Sequence, residues 1–387
     1  MAAPPAGSAM TLRSAPPGTL RAARRRRRRE RRRRALAAVG LVVAVLLALA
    51  CVSIGRALTA PGTDSAAARL AEWARGHHFG GPVTGLEKLQ YAASPPKVGG
   101  HPAPGPTAGT AVPQLAPVPA AITPALPGEG VWRQVAAVRG APAAWVTTVR
   151  PDATHTSYLT GLLRLDPGVL SFVLHPGTAV PGGSGWSQPP LVPPALRAGL
   201  VATFNSGFTL PDSRGGYQQD GRTVTPLRAG AATLLLTRDG RLQLGAWGRD
   251  VGPGPTVAAV RQNLDLMIDG GRIAPDISSA SSAAWGATVG NRAYVWRSGV
   301  GVTGSGAVLY AAGDALSTDS LAQLLQRAGA VRAMELDINR DWVSGQWYEQ
   351  AGGVTVPHKL TPDESRPADR YFAISSRDFL AAVARPG

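Results

Sequence analysis

The chain of 387 residues has one cysteine, Cys51, and it falls in an apolar run. The rest of the protein therefore has no disulfide, no thiolate nucleophile and no cysteine metal site to draw on. Three familiar catalytic signatures are also missing: a Gly-rich loop ending in Lys, a His pair on one helical face, and a Gly-x-Ser-x-Gly elbow. Their absence argues against ATP-driven transfer, zincin-type proteolysis and α/β-hydrolase chemistry. The six His are His77, His78, His101, His155, His175 and His358, and no two stand at the i, i+4 spacing that would hold a metal. Neither a metal nor a cofactor is expected. No repeat with a period of about 20–50 residues is found, so a solenoid or propeller is not indicated.

Positive charge is abundant but confined. Residues 1–34 hold twelve Arg and one Glu, which is +11 of the formal +16, leaving +5 over the other 353 residues. An arm for nucleic acid is one reading of the Arg run, but the adjoining segment points elsewhere. Ala35 to Ile54 is twenty uncharged residues, enough helix to span about 30 Å of hydrocarbon. Arginines dense on one flank stay cytoplasmic, so the chain beyond Arg56 is expected outside the cytoplasmic membrane, with the N-terminus inside. An uncleaved signal anchor is the leading reading. Cleavage after Ala48-Leu49-Ala50 and lipid attachment at Cys51 keep the same topology.

The expected organisation is a disordered basic cytoplasmic tail over 1–34, a transmembrane anchor over 35–55, a short helix and Pro/Ala/Gly-rich spacer over 56–128, and one domain over 129–385. Ser65 is placed to cap a helix that carries Leu70 and Trp73 on one face. From Pro95 to Pro127 the sequence offers too little apolar area to offset the entropy of ordering it. Beyond Val131, short apolar runs alternate with turn signals, as in 144–149 and 169–174, and read as strands. Arg238-Asp239-Gly240 closes a hairpin between 232–237 and 241–244. Asp269-Gly270-Gly271 closes a second strand, with Leu264, Leu266 and Ile268 on one face and Asp265, Met267 and Asp269 on the other. A helix is expected with Thr318 as N-cap, Leu321, Leu324 and Leu325 on its stripe, and Gly329 as its stop. This ordering gives an α+β class: a β-rich, mixed-sheet single domain with few helices, preceded by one transmembrane helix.

The richest cluster of chemistry comes directly after that helix. At period two, Met334, Leu336 and Ile338 face one way, and Glu335, Asp337 and Asn339 the other. Two carboxylates about 7 Å apart along a strand can have their pKa values pushed apart and serve as acid and base. Equally, they can pair with Arg332 or Arg340 on a half-exposed strand. Asn205 stands where a strand breaks at Gly207, placed to orient a sugar hydroxyl or to cap its own turn. Arg222, Arg228 and the segment Trp247 to Asp250 put guanidinium groups near turns, either to clamp a phosphate or to form surface pairs.

In their order along the chain, Asn205-Ser-Gly-Phe208, the hairpin, Arg261-Gln-Asn-Leu-Asp-Leu-Met-Ile-Asp-Gly-Gly271 and the helix-strand unit ending Glu335-Leu-Asp337 resemble the phosphodiester glycosidase family, in its bacterial membrane-anchored branch. The likeness covers about residues 195–345. The family usually shows Asn-Gly-Gly-Phe at the first motif, an Arg-Thr-Ala strand where this chain reads Trp285-Gly-Ala-Thr288, and glycines after the Asp where this chain reads Ile338-Asn-Arg340. The resemblance implies a glycosidase acting on a sugar linked through a phosphodiester in an envelope glycopolymer. Asp337 and Glu335 are the catalytic candidates, and Asn205, Asn339, Arg222, Asp269 and Thr288 the substrate-binding set. The expected partners are membrane lipid around residues 35–55 and the envelope glycan or sugar phosphate, with no nucleic acid. A non-catalytic envelope module that binds glycan or protein is the rival reading.

Overall fold

The computed structural model describes residues 17–77, 95–103, 110–111, 115–278, 285–286 and 293–386, together with residues 79 and 83. It divides into two compact units, Met1–Ala60 and Pro61–Gly387. The first is a single helix, α1 (Pro17–Leu58). Helix begins inside the basic stretch expected as a disordered tail, and its part from Arg25 to Leu58 is long and apolar enough to cross a membrane. Its apolar side chains, Leu41 and Leu46 among them, are exposed.

The second unit begins with α2 (Ala66–Gly76), capped by Ser65, whose side chain accepts the Ala68 N–H. Nineteen strands then form three sheets among the described residues. The largest has nine strands. It takes in β1 (Thr110–Ala111), β2 (Arg133–Val138), β3 (Ala141–Val149), β4 (Thr160–Leu165), β12 (Leu266–Asp269), β13 (Arg272–Ile273), β14 (Val295–Thr303), β15 (Val308–Leu316) and β16 (Ala330–Ile338), in the order β1-β2-β3-β4-β15-β14-β16-β12-β13. A five-stranded sheet orders β5 (Leu170–His175), β6 (Leu200–Asn205), β17 (Gly345–Ala351), β18 (Val354–Lys359) and β19 (Phe379–Ala384) as β18-β17-β6-β19-β5. Another orders β7 (Tyr217–Gln219), β8 (Arg222–Thr225), β9 (Ala232–Thr237), β10 (Leu242–Ala246) and β11 (Val257–Gln262) as β10-β9-β11-β7-β8. The short helices α3 (Pro194–Arg197) and α4 (Leu210–Ser213) flank β6, and α5 (Thr318–Arg327) joins β15 to β16.

The large sheet is buried on both faces. On one, Leu163, Val308, Tyr310 and Met334 pack against Phe172, Phe204, Leu234 and Leu380 of the two smaller sheets. On the other, Leu162, Leu309 and Ala333 pack under Leu321, Leu324 and Leu325 of α5. Alternate residues of β15 serve alternate cores, as a pleated strand requires. The β9–β10 hairpin forms in the expected register, Leu236 opposite Leu242. Helix α5 starts one residue earlier than expected. Its cap is Ser317, which exchanges side-chain and backbone hydrogen bonds with Ser320 in a capping box.

Two differences position the site. The stretch expected as spacer up to residue 128 folds onto the domain in its described parts: Val118 joins the core under α5, and the carbonyls of Ile122 and Pro124 accept hydrogen bonds from Arg150. Arg150 is itself locked by a buried ion pair with Glu129. A Pro-rich segment has few N–H groups to satisfy and can be held by carbonyl acceptors alone. Secondly, the register of β12 on β16 shifts between Leu266 and Ile268, so Met267 is an extra residue. Both Met267 and Ile268 are then buried, where strict alternation placed Met267 beside the acids.

Candidate active site

The chain around Asp337 is shaped by a second bulge. Arg297 of β14 pairs with Ile338 and Gly299 with Glu335, so two residues of β16, Leu336 and Asp337, stand against Ser298 alone. A bulge re-aims the side chain that comes after it. Glu335 and Asp337 accordingly share no hydrogen-bond partner or ion pair among the described residues. Glu335 is buried in an ion pair with Arg297, with Oε2 lacking a partner among the described residues. Burial pushes its carboxyl up to about 7 against the pull of Arg297.

Asp337 opens instead toward the meeting point of β6, β16 and β19. Its backbone N–H donates to Ser206 O at 3.0 Å, and its carbonyl accepts from Ser298 Oγ at 2.7 Å. Its Oδ1 takes the Ile338 N–H at 2.9 Å and its Oδ2 faces Arg377 Nη1 at 3.5 Å. Ser206 N–H in turn donates to Asp378 O, and Asp378 Oδ2 is held by Arg261 Nε at 2.8 Å. Burial is the leading influence on Asp337 and pushes it up to about 7, with Arg377 offsetting only part of the effect. On the neighbouring residues Ser206, Arg377 and Asp378, the atoms Ser206 Oγ, Arg377 Nε and Asp378 Oδ1 are buried with no partner among the described residues. Buried polar atoms are seldom left unpaired, and three on residues next to a carboxyl raised by burial make this the candidate site.

The loop after β6 is fixed by Asn263, which accepts the Phe208 N–H and donates to Glu335 O, tying the β6 loop to β16. A Cβ at Gly207 would lie 2.9 Å from the Asn263 side chain, so only glycine lets the two approach.

Asn205 sits at the end of β6, but its amide is already fully used. Nδ2 donates to Ser206 O and Ser298 Oγ, and Oδ1 accepts from Tyr310 OH and Ser344 N–H. Two donors and two acceptor positions are all an Asn has. Asn339 is near Asp337 in a left-handed turn, φ 97°, with its Oδ1 taking the Asp341 N–H. Arg222 is exposed and elsewhere, stacked over Trp186 at 3.5 Å. Asp269 pairs with Arg249 and Arg332 beside a cleft of about 320 Å³, at the other end of β16. Five residues of strand separate Arg332 from Asp337, roughly 16 Å. Thr288 lies outside the described residues. The structure thus brings Asp337 and Asn339 together, leaves Asn205 behind them as a brace, and sends Glu335, Arg222 and Asp269 to other places.

The residues that do converge on Asp337 were not apparent in the sequence. Arg377 and Asp378 come from the turn before β19, and their only local signal is a charged pair ahead of an apolar run. Beneath the turn after β16 lies Trp342, with the guanidinium carbons of Arg377, Arg366 and Arg370 at 4.4, 5.4 and 6.0 Å from its ring centre. Above it lies the start of the second unit: Glu72 of α2 pairs with Arg377 at 2.9 Å, and Asp64 with Arg366 at 3.0 Å. Gly62 packs so close that a Cβ there would stand 2.5 Å from Ile374 O.

Residues 197–337 match the phosphodiester glycosidase family model. No curated protein matches the chain in sequence. Among solved structures, the chain is similar to the catalytic domain of zebrafish N-acetylglucosamine-1-phosphodiester alpha-N-acetylglucosaminidase, auto-inhibited by its pro-peptide. That likeness is at 13% identity, over 66% of this chain and 88% of that one, with a TM-score of 0.42. A hypothetical protein from Synechocystis is also similar, at 13% identity over 65% of this chain and 64% of that one, with a TM-score of 0.37. The matched segment contains Ser206, Asn263 and Asp337, and over that segment the chain is similar to the phosphodiester glycosidase family.

Proposed function

We propose that this protein is a membrane-anchored, extracytoplasmic glycosidase that cleaves a sugar from a phosphodiester in an envelope glycopolymer, with Asp337 as base or nucleophile. The observation that carries this reading is the buried Asp337 carboxyl facing Arg377 Nη1 at 3.5 Å, with polar atoms of Ser206, Arg377 and Asp378 unpartnered among the described residues; burial pushes this carboxyl up to about 7. A carboxyl with that pKa is substantially ionised at neutral pH and still basic enough to take a proton. In the reaction, either water, giving its proton to Asp337, or Asp337 itself forms the new bond at the anomeric carbon, and in the second case water then cleaves the sugar from Asp337. The bond from that carbon to the phosphate oxygen breaks, and its electron pair leaves on the phosphate. A phosphate monoester is a far better leaving group than a sugar alkoxide, so one carboxyl with cationic donors suffices where other glycosidases need a carboxyl pair. That fits a site from which Glu335 has been withdrawn. The helix from Arg25 to Leu58 would hold the domain at the lipid surface.

The test is sugar release from glycosyl-phosphodiester substrates by the full chain in detergent. Asp337→Asn should lower the rate by about 10²–10⁴-fold. Full activity in that variant, or no release by the parent protein, removes the reading. A second reading, a binding module without catalysis, is favoured by the complete internal use of the Asn205 amide. Tight glycan binding with no turnover on long incubation would establish it.

A further inference from the structure

The two sides of α2 differ in what they meet. One side is turned to the domain: it carries Ala68, the buried residue of the helix, and Glu72, which pairs with Arg377. At 3.6 residues per turn, Ala66, Leu70, Trp73 and Ala74 fall on the opposite side, and none of them is charged. Leu70 is 40% exposed there. Just past the helix, the Phe79 N–H donates to Ala74 O at 2.8 Å and folds Phe79 back beside Trp73. The two rings stack with centres 6.4 Å apart, while Phe79 stays 54% exposed. A leucine and a stacked aromatic pair thus extend one outward apolar surface.

Chain length limits what can cover that surface. Residues 59–65 join Leu58, the last residue of α1, to Ala66, the first of α2. Seven residues reach at most about 25 Å when fully extended. With α1 in a bilayer about 40 Å thick, α2 is tethered within less than one membrane thickness of the headgroups. Lipid is an apolar phase within that reach. Trp suits the boundary between headgroups and hydrocarbon, because its ring is apolar and its N–H needs a polar partner. A helix with such a face lies in the plane of the interface, its apolar side about 5–10 Å deep.

We propose that the outward face of α2, with Leu70, Trp73 and Phe79, docks on the lipid bilayer that α1 spans, as an interfacial helix. The proposal rests on the anchored reading of α1 and is independent of the glycosidase reading. Its consequence is orientation. Because the other side of α2 holds Arg377 through Glu72, the docked helix keeps the Asp337 end of the domain beside the membrane surface.

The full chain in vesicles of phosphatidylethanolamine and phosphatidylglycerol tests this by depth. Of the nine Trp, none lies in α1 and only Trp73 in α2. Lipids brominated on the acyl chains should quench the parent's tryptophan emission, and Trp73→Phe should remove most of that quenching. An unquenched parent, or quenching that Trp73→Phe leaves unchanged, overturns the proposal. A nitroxide attached through Leu70→Cys, with Cys51→Ser to leave one thiol, gives a second measure. It should be several-fold more accessible to oxygen than to a water-soluble nickel chelate. The reverse order overturns the proposal. So does spin–spin broadening at position 70 that dilution with unlabelled chain removes, because a second copy then covers the face. Protein that stays with the vesicles while position 70 is in water removes the interfacial helix alone. Protein that washes off the vesicles removes the anchored reading and the proposal with it.

Discussion

Asp337, Glu335 and Glu364 are three carboxyls whose charge is disfavoured by the same cause, burial, with pKa values pushed up to about 7, 7 and 8. Each has a folded-state pKa above its unfolded value, so each holds its proton more tightly when folded. The stability this confers is complete below the unfolded pKa and is lost as pH rises through the folded one. His175 works in the opposite sense: burial lowers it to about 4, so its contribution is lost only as pH falls below its ordinary 6.5. Above about 6.5 the carboxyls therefore dominate, and the melting temperature should fall between pH 6.5 and 8. Glu364→Gln should flatten the upper part of that slope. It accepts hydrogen bonds from the Gly345 and Thr361 N–H groups, which the amide oxygen can replace in part. A melting temperature that rises over this window would contradict the burial argument.

At the scale of the element, two bulges decide which side chains reach the site. Alternation along 333–339 does place Met334 and Leu336 in one core, as the period-two pattern requires. It fails for the acids because Leu336 and Asp337 together stand opposite Ser298. The failure at Met267 has the same physical origin. A bulge depends on how a neighbouring strand pairs, and the strand's own sequence does not record it. Helix α5 was legible almost to the residue, because apolar spacing and a stop glycine are local signals. Its cap is Ser317 where Thr318 was expected, and Ser317→Ala should destabilise the domain by about 1 kcal/mol in denaturant unfolding. Ser320→Ala should cost a similar amount only while Ser317 is present, because the capping box is reciprocal.

For the whole molecule, the controlling fact is chain order: an apolar helix, then a short segment whose Asp64 and Glu72 pair with Arg366 and Arg377, then the domain that carries those arginines. An anchored, outward-facing domain should stay with membranes through a carbonate wash. Protease added to intact cells with a permeable outer layer should remove it and leave the N-terminal basic segment protected. Solubility in the cytosol would overturn the anchored arrangement. Parts of the stretch 95–128 that composition marks as a spacer are instead ordered against the domain. Composition reports only how much apolar area a segment can bury, and this one is held by carbonyls that Arg150 reaches from β3's end.

By itself the sequence determined the apolar helix, the β-rich class, the hairpin, α5, and the family motifs up to Asp337. All of these rest on signals carried within some twenty consecutive residues. Only tertiary structure decided the site's membership. Arg377 meets Glu72 across 305 positions and Arg366 meets Asp64 across 302. Buried ion pairs between distant segments are fixed by how three sheets close on one another, and no spacing along the chain encodes that closure.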